Sequence, residues 1–222
     1  MKYLTSFEQG TPEWKAARAG KVTASRAKDA RSRLKSGLPS SEQKKYAAQI
    51  AVERISKQPM DDVFETWQMR EGTKQEPFAR QAYEEATGNL VEEVGAIATD
   101  DEIFLYSPDG LCGDDGLVEI KSLFSADRML QIVAEGDLGD FIDQCMFGLW
   151  LTGRKWIDLV IWCPALESIG LKLTIKRIHR DENEIEALEA DLMAFAKTVR
   201  EAESKFLKAA KAANADQLAL AA

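Results

Sequence analysis

The chain has 222 residues, and 45% of them are apolar, which is enough to build the core of one domain of generous size. No apolar run reaches the roughly 18 to 20 residues that a membrane span requires, and the first residues lack the layout of a signal peptide, so we expect a cytoplasmic protein that does not enter a membrane. The three cysteines have no CxxC spacing, which argues against a disulfide framework and against a zinc or iron–sulfur site built from cysteines.

The charge is distributed unevenly along the chain. The formal net charge is −8, yet residues 1–60 carry a net charge of +8 and residues 61–222 carry −16. Because salt screens charges over about 8 to 10 Å, a positive section can bind phosphate whatever the total charge is. A solvated basic helix surface is the alternative interpretation of the same pattern.

The basic section, about residues 1–60, is predicted to be helical. Thr11 is a natural N-cap for a first helix, and Arg18 lies on the last turn of that helix. A second helix is predicted to start near Thr23, and Ser40 resembles the cap of a third.

The next predicted helix extends from Phe64 to Thr87 and ends before Gly88. Pro77 lies inside it, where it has no N–H to donate and its ring clashes with the preceding turn. The sequence therefore predicts a kink or a restart at Glu76.

After this helix the hydrophobic period changes to that of strands. Five short runs are rich in β-branched and aromatic residues and are bounded by Gly, Asp or Pro. A helix is predicted between the third and fourth strands, at residues 139–153, where apolar residues recur at helical spacing, and we expect it to pack on the sheet. The predicted strands are residues 90–98, 102–107, 117–124, 156–163 and 170–178.

A long last helix is predicted at about residues 181–212, capped by Asp181. Its apolar residues follow one another at spacings of 3 and 4, so they form one seam that either covers the sheet or meets a partner subunit. The Ala-rich tail after Lys208 is predicted to fray or to be disordered. No linker divides the chain, so we expect a single domain whose core spans about residues 61–180.

The segment "SPDGLCGDDGLVEIK" combines four carboxylates, a predicted turn and a lysine. Asp115 followed by Gly116 indicates a tight turn, so residues 103–123 are predicted to form a β-hairpin. Because side chains alternate along a strand, Glu119 and Lys121 point to the same face. Folding back the hairpin brings Asp109 next to them.

Carboxylates a few ångströms apart repel one another unless a cation lies between them. Oxygen ligands without histidine or thiolate suit Mg²⁺ or Mn²⁺, which keep several waters and take further contacts from phosphate. Acidic turns and Glu-x-Lys strands are also common on solvated surfaces, so the hairpin alone leaves both interpretations open. Asp114 and Asp115 are interpreted as turn residues without a catalytic part.

Other catalytic classes are disfavoured by what the sequence lacks. His179 is the only histidine, which argues against serine-triad hydrolysis, histidine-based nucleases and histidine-ligated zinc. The sequence contains neither a GxxxxGK[ST] phosphate loop nor a Gly-rich dinucleotide fingerprint after a strand. A nucleotide motor and a nicotinamide enzyme are therefore both disfavoured.

The motif "SPDG", a turn and then "EIK" resembles the PD-(D/E)xK pattern of restriction-like nucleases. More of the chain resembles the phage lambda exonuclease and YqaJ-like viral recombinase family. The matching blocks occur in the family's order and are "EWKAARAGKVTAS", "EGTKQEP", the hairpin and "QCMFGLW". The resemblance implies an α/β domain with a central mixed sheet flanked by helices, a helical N-terminal section and a long C-terminal helix.

The same resemblance implies a Mg²⁺-dependent exonuclease, with two ions per site and Mn²⁺ as a substitute. Such an enzyme digests one strand of duplex DNA from its 5′ end to mononucleotides and leaves a 3′ single strand for a single-strand annealing protein, in recombination of the phage type inside a bacterial host. Relatives form a ring-shaped homotrimer around DNA.

Roles for single residues follow from their motif positions in the family. Lys121 would activate the attacking water, and Gln144 would orient the water or the scissile group. Glu76 would be a second-metal or water-positioning carboxylate. The remaining metal ligands implied by the resemblance are Asp109, Glu119 and the backbone carbonyl of Ile120.

Three residues would bind phosphate near the 5′ end, namely Arg18, Ser25 and Ser107. Lys35 is assigned to the same task, although the sequence around it matches the family loosely and Arg33 is an alternative. Arginine suits the task because its planar fork bonds two phosphate oxygens at once. Each residue also has a plain structural alternative, such as a helix C-terminal charge for Arg18.

Two rival functions are kept open at this point. A structure-specific or site-specific endonuclease on the same fold would use the same motif. A catalytically inactive module that only binds DNA or a recombination partner is the rival from another class, and the intact set of two acids and a lysine disfavours it.

Overall fold

The computed structural model describes residues 1–60 and 66–220. Its α-helices are Pro12–Arg18 (α1), Ala27–Arg31 (α2), Ser41–Ser56 (α3), Trp67–Thr87 (α4), Ala126–Met129 (α5), Gly139–Thr152 (α6) and Glu182–Leu220 (α7). Its strands are Lys2–Leu4 (β1), Val22–Thr23 (β2), Ala96–Ala98 (β3), Phe104–Tyr106 (β4), Gly110–Cys112 (β5), Gly116–Ser122 (β6), Trp156–Trp162 (β7) and Leu173–His179 (β8). Short 3₁₀ turns at Ala24–Arg26 and Pro164–Ile169 and a π turn at Leu130–Ala134 complete the helical segments.

Within the described residues, the strands form two four-stranded sheets, in the orders β1-β3-β4-β2 and β5-β6-β7-β8. Both sheets are mixed, because β2 pairs with β4 and β6 pairs with β7 in parallel, while the other pairs are antiparallel. The predicted α/β class, with mixed strands flanked by helices and a long C-terminal helix, is confirmed. The predicted single sheet is instead divided in two, because the chain leaves one sheet after Tyr106 and enters the other at Gly110.

Helices cover both faces of the second sheet. Alternate residues of β6 enter two separate cores: Leu117 joins the larger core with α6 and α7, whereas Val118 and Ile120 pack with Tyr83 of α4. The sequence of a strand that is buried on both faces is usually a nearly continuous run of apolar residues. A carboxylate in the middle of such a strand, as at Glu119, is therefore unusual and requires a specific partner.

Helix α4 continues without interruption through Pro77. Its N-cap is Thr66, whose hydroxyl accepts a hydrogen bond from the backbone N–H of Met69 at 3.2 Å. The predicted restart at Glu76 is wrong, because the packing of this helix on the second sheet outweighs the one backbone hydrogen bond that proline removes. The start of the prediction, at Phe64 and Glu65, lies outside the described residues.

Helix α7 packs on α3, α2 and α6 rather than on a sheet. The predicted seam is confirmed, since its apolar side chains from Ile185 to Val199 are buried, while Phe206 beyond them is exposed. The helix continues to Leu220, beyond the end predicted at about residue 212. Alanine, which is frequent there, has the highest helix propensity.

The basic section contains two strands that sequence analysis missed, β1 and β2. Val22 and Thr23 pair with Phe104 and Leu105 of β4, so the helix predicted near Thr23 begins only after a 3₁₀ turn. These β-branched residues find strand partners about 80 positions away, and such distant pairing overrides a local helix signal. The predicted N-caps Thr11 and Ser40 are confirmed, since each hydroxyl accepts the expected backbone N–H.

Of the helices in the described part of the chain, none combines the length and the apolar composition that a membrane crossing needs. Cys112, Cys145 and Cys163 are buried free thiols, as the absence of CxxC spacing predicted.

Candidate active site

Strands β5 and β6 form the predicted hairpin, although its first arm is shorter than expected. The turn spans residues 113–115, with Gly113 at a positive φ of 54°, a value that favours glycine. Gly116, which was predicted to lie in the turn, is the first residue of β6 and pairs with Cys112. The hairpin places Asp109, which directly precedes β5, beside the middle of β6.

Asp109 is fixed by the backbone of β6. The N–H of Ile120 donates to Asp109 Oδ2 at 2.6 Å, so the half-buried carboxylate lies next to the strand that holds both Glu119 and Lys121. This contact and the hydrogen bond from Lys121 to Glu119 confirm the prediction that the three charged side chains lie together.

Glu119 is almost completely buried, with 1% of its surface exposed. Its Oε1 accepts hydrogen bonds from Lys121 Nζ at 2.7 Å and from the side-chain nitrogen of Gln144 on α6. Its Oε2 accepts a hydrogen bond from the hydroxyl of Tyr106 at 3.1 Å. A buried carboxylate with donors on both oxygens can stay in one orientation.

The electrostatics of the site are dominated by the two carboxylates. Burial, and then the charge of Glu119, hold the pKa of Asp109 well above its usual value, and Lys121 only partly offsets this. Burial by itself lowers the pKa of Lys121, but the charges of Glu119 and Asp109 outweigh burial, so this pKa lies above its usual value. Lys121 is therefore a cation that donates to Glu119, and one lysine does not relieve the repulsion at Asp109.

Glu76 lies on α4 and lines the same cleft as Asp109, which has a volume of about 830 Å³. Its Oε1 accepts a hydrogen bond from Arg80 at 2.8 Å, and Arg80 also pairs with Glu93. The pKa of Glu76 is raised, mainly by burial, while Arg80 acts in the opposite direction. Among the described residues, the buried Nε of Arg80 has no hydrogen-bond partner.

Three of the four predicted phosphate ligands are brought together. Arg18 donates to the hydroxyl of Ser25 at 3.3 Å, and its guanidinium lies 4.2 Å from the ring centre of Trp14. The indole N–H of Trp14 donates to the hydroxyl of Ser107 at 2.9 Å. Ser107 is two residues before Asp109, so this set is continuous with the acidic site.

Lys35 is not joined to this set. It is exposed in a turn between Arg33 and Pro39, and the contacts of the described residues connect it to none of the other predicted phosphate ligands. Arg33 instead pairs with Asp191 of α7 at 3.5 Å.

Much of the charge of the basic section is neutralised within the fold. Lys28 pairs with Asp140, and Arg31 pairs with Asp143 and with Asp191, so α2 is tied to α6 and α7. Other cations of this section, Lys15 and Arg18 of α1 together with Lys21 and Arg26, line one cleft.

Sequence analysis missed Trp14, Tyr106 and Arg80 as members of these sets. The spacing of Trp14 and Arg18 by four residues on a helix is a signal that can be read from the sequence. Tyr106 and Arg80 reach the site through contacts between separate elements, so no local sequence pattern predicts that they belong to it.

The donor set can be tested against the metal that the sequence predicts. In the described part of the chain, no group of three or more His, Cys, Asp or Glu side chains is arranged as a metal-binding cluster. The predicted ligands Asp109 and Glu119 are two carboxylates supplemented by a backbone carbonyl, and they have the unrelieved repulsion that a divalent cation removes. The chemistry of the site therefore fits a hard cation with few protein ligands and several waters.

In a comparison with protein families, the YqaJ-like viral recombinase domain matches residues 13–155. No curated protein sequence matches the chain.

Among solved structures, an alkaline exonuclease (LHK-Exo) from Laribacter hongkongensis is 35% identical, with a TM-score of 0.78, and the match covers 90% of this chain and 99% of that one. LHK-Exo in complex with dAMP is 34% identical, with a TM-score of 0.79 and the same coverage. A phage-related exonuclease from Haemophilus somnus 129PT is similar in fold, with 15% identity, a TM-score of 0.67 and coverage of 84% of this chain and 96% of that one.

Proposed function

Because the chain belongs to the YqaJ-like viral recombinase family, we propose that it is a Mg²⁺-dependent exonuclease that degrades one strand of duplex DNA from its 5′ end. One observation supports this proposal above the others. Asp109 and Glu119 lie side by side with Lys121 on one hairpin, and this hairpin is joined through Ser107 to a cationic cleft around Arg18.

The proposed metal ligands are Asp109, Glu119, Glu76 and the backbone carbonyl of Ile120. Two ions per site are proposed, with Mn²⁺ as a substitute for Mg²⁺. When bound, such ions lower the pKa of water and stabilise charge that develops on a phosphoryl group.

The residues of the chain have separate tasks in this proposal. Lys121, held at Glu119, offsets negative charge near the scissile phosphate and orients the attacking water. Gln144 donates to Glu119, so we assign it to holding that carboxylate as well as to the water.

Recognition of the DNA end is proposed to occur in the second cleft. This cleft has a volume of about 520 Å³ and is lined by Trp14, Arg18 and Ser25. The guanidinium of Arg18 and the hydroxyls of Ser25 and Ser107 are donors that suit phosphate oxygens. The relative that was solved with dAMP binds a nucleotide, which is compatible with a mononucleotide product here.

The wider biological role is proposed on the family's pattern. The enzyme would release 5′-mononucleotides and leave 3′ single strands for a single-strand annealing protein, in recombination of the phage type. A homotrimeric ring around DNA is part of the proposal, and sedimentation equilibrium would then give three times the chain mass of 24.7 kDa.

The test uses one DNA sequence in three forms: a linear duplex labelled at its 5′ ends, the same duplex labelled at its 3′ ends, and a closed circle. With Mg²⁺ we expect early release of labelled mononucleotide from the 5′-labelled duplex, late release from the 3′-labelled one, and an intact circle. With a chelator, all three substrates should persist.

The other outcomes identify the rival functions. Cleavage of the circle at the same rate as the linear duplex would favour an endonuclease. Binding of linear DNA without any degradation in Mg²⁺ or Mn²⁺ would favour an inactive binding module.

A further inference from the structure

The side chain of Tyr106 is buried, and its hydroxyl contacts the acidic site. The proposed function assigns no role to Tyr106. It is the last residue of β4, in the first sheet, and lies three residues before Asp109. Its hydroxyl donates to Glu119 Oε2 at 3.1 Å, while Lys121 and Gln144 both donate to Oε1. Tyr106 therefore holds the oxygen that these two residues leave unoccupied.

Helix α6 leaves space for the ring of Tyr106 at Gly148. A Cβ added at Gly148 would lie 2.7 and 2.8 Å from two carbons of the ring, so only glycine leaves enough space there. Gln144 and Gly148 are four residues apart, which puts them on one face of the helix. One helix face thus supplies a donor to one oxygen of Glu119 and the space for the phenol that reaches the other.

We infer that Tyr106 is a positioning residue which fixes the plane of the Glu119 carboxylate. The last torsion of a glutamate is broad, so a carboxylate held at one oxygen only can rotate about that bond. Donors on both oxygens leave one orientation. The inference rests on the proposed function, because Glu119 needs a fixed plane only if it holds a metal ion.

The experiment uses Tyr106→Phe, which removes one oxygen atom and keeps the ring. Mn²⁺ binding to the DNA-free protein is measured by calorimetry, and kcat and KM are measured separately on linear duplex DNA. Loss of a group that orients a metal ligand costs about 10- to 100-fold in metal affinity or activity. We therefore expect at least about 10-fold weaker Mn²⁺ binding and a lower kcat, with KM changed by less than about twofold.

Tyr83→Phe is the matched control. Tyr83 is also buried, and its hydroxyl donates to the buried Asp158 at 2.7 Å, but on the α4 side of the sheet. This variant should melt at a lower temperature and bind Mn²⁺ as the wild type does. A second variant, Gly148→Ala, keeps the phenol but displaces its ring, and should weaken Mn²⁺ binding in the same direction as Tyr106→Phe.

Three results would overturn the inference. They are wild-type Mn²⁺ affinity and kcat in folded Tyr106→Phe, an equal loss of Mn²⁺ affinity in Tyr83→Phe, and wild-type Mn²⁺ affinity in Gly148→Ala. If the wild-type protein degrades DNA, any of these three results would overturn the inference without contradicting the proposed function. A wild-type protein that neither binds Mn²⁺ nor degrades DNA would instead overturn the proposed function, and this inference with it.

Discussion

Burial and a neighbouring like charge both destabilise the ionised carboxylate of Asp109. Its carboxylate is held by the N–H of Ile120, and its pKa is raised by burial and by Glu119. An acid in such a place is costly to keep unless a cation neutralises it. Its removal should therefore affect chemistry more than folding.

We expect Asp109→Ala to lower the rate of DNA degradation by at least about 100-fold, the effect of losing a group that stabilises transition-state charge. DNA binding in Ca²⁺ should be retained. Asp114→Ala is the matched control, because Asp114 is an exposed carboxylate in the adjacent turn, and its loss should not change the rate. Wild-type degradation by the Asp109 variant would remove this residue from the mechanism.

Arg18 and Lys35 were both predicted to bind phosphate, and the structure separates them. Arg18 lies in the cleft with Trp14 and Ser25, whereas Lys35 lies in an exposed turn. A hydrogen bond to a charged group contributes about 1.5 to 3 kcal/mol, so Arg18→Ala should lower kcat/KM on 5′-phosphorylated duplex by roughly 10- to 100-fold. Lys35→Ala should stay within about twofold of the wild type. Steady-state kinetics on this substrate checks both, and an equal effect in the two variants would contradict the assignment.

The hairpin of β5 and β6 is the element on which the acidic site depends. Gly116 of this hairpin lies so close to β7 that only glycine fits, because a Cβ at this position would be 2.2 Å from the indole of Trp156. The hairpin can be read from the sequence, but this contact cannot, since it joins residues 40 positions apart.

We expect Gly116→Ala to lower the free energy of unfolding by about 1 to 3 kcal/mol, because overpacking forces neighbouring atoms to move. Gly72→Ala is the control with the opposite expected sign. Gly72 lies in α4 with no atom within 4 Å of an added Cβ, so alanine should stabilise the protein by about 1 kcal/mol. Urea denaturation of both variants measures the difference, and a Gly116→Ala protein as stable as the wild type would contradict the described contact.

Helices α2 and α6 are joined by ion pairs that should depend on pH. Hydrogen bonds from Lys28 and then from Arg128 hold the pKa of Asp140 below its usual value. Since the unfolded value is about 3.9, Asp140 contributes stability above about pH 4 and loses this contribution as the pH falls through its folded pKa.

Asp140→Asn should therefore be less stable than the wild type at pH 7, by no more than about 1 kcal/mol because the pair is partly exposed. The two proteins should become equally stable once the pH has fallen below the folded pKa of Asp140, where its carboxyl group is protonated. Denaturant unfolding at a series of pH values checks this. A difference that stays constant down to the lowest pH at which both proteins fold would show that another effect of the substitution is responsible.

Local signals predicted much of the fold. The caps at Thr11 and Ser40, helix α6 and the pairing of Glu119 with Lys121 follow from patterns within a few residues. The site residues that were missed, such as Tyr106, act through contacts between different elements. The division of the strands into two sheets also depends on pairings distant in sequence, and for that reason no local pattern predicts it.

In the whole molecule, the uneven charge of the chain serves two purposes. Part of the positive charge of residues 1–60 is used to attach α2 to the acidic helices α6 and α7. Another part, from Lys15, Arg18, Lys21 and Arg26, lines the cleft at Arg18, which the hydrogen bond from Trp14 to Ser107 connects to the acidic cleft. A cationic cleft beside an acidic cleft, which we propose to hold metal ions, suits a substrate with a phosphate at its end and a phosphodiester to be cut.

The proposed function depends on a divalent cation between the half-buried carboxylate of Asp109 and the buried carboxylate of Glu119. Anomalous diffraction from crystals soaked in Mn²⁺ measures the position of such an ion. We predict a peak within coordination distance of both carboxylates, about 2.1 Å from their oxygens. A site without a peak, or peaks confined to exposed carboxylates such as Asp114, would contradict the account.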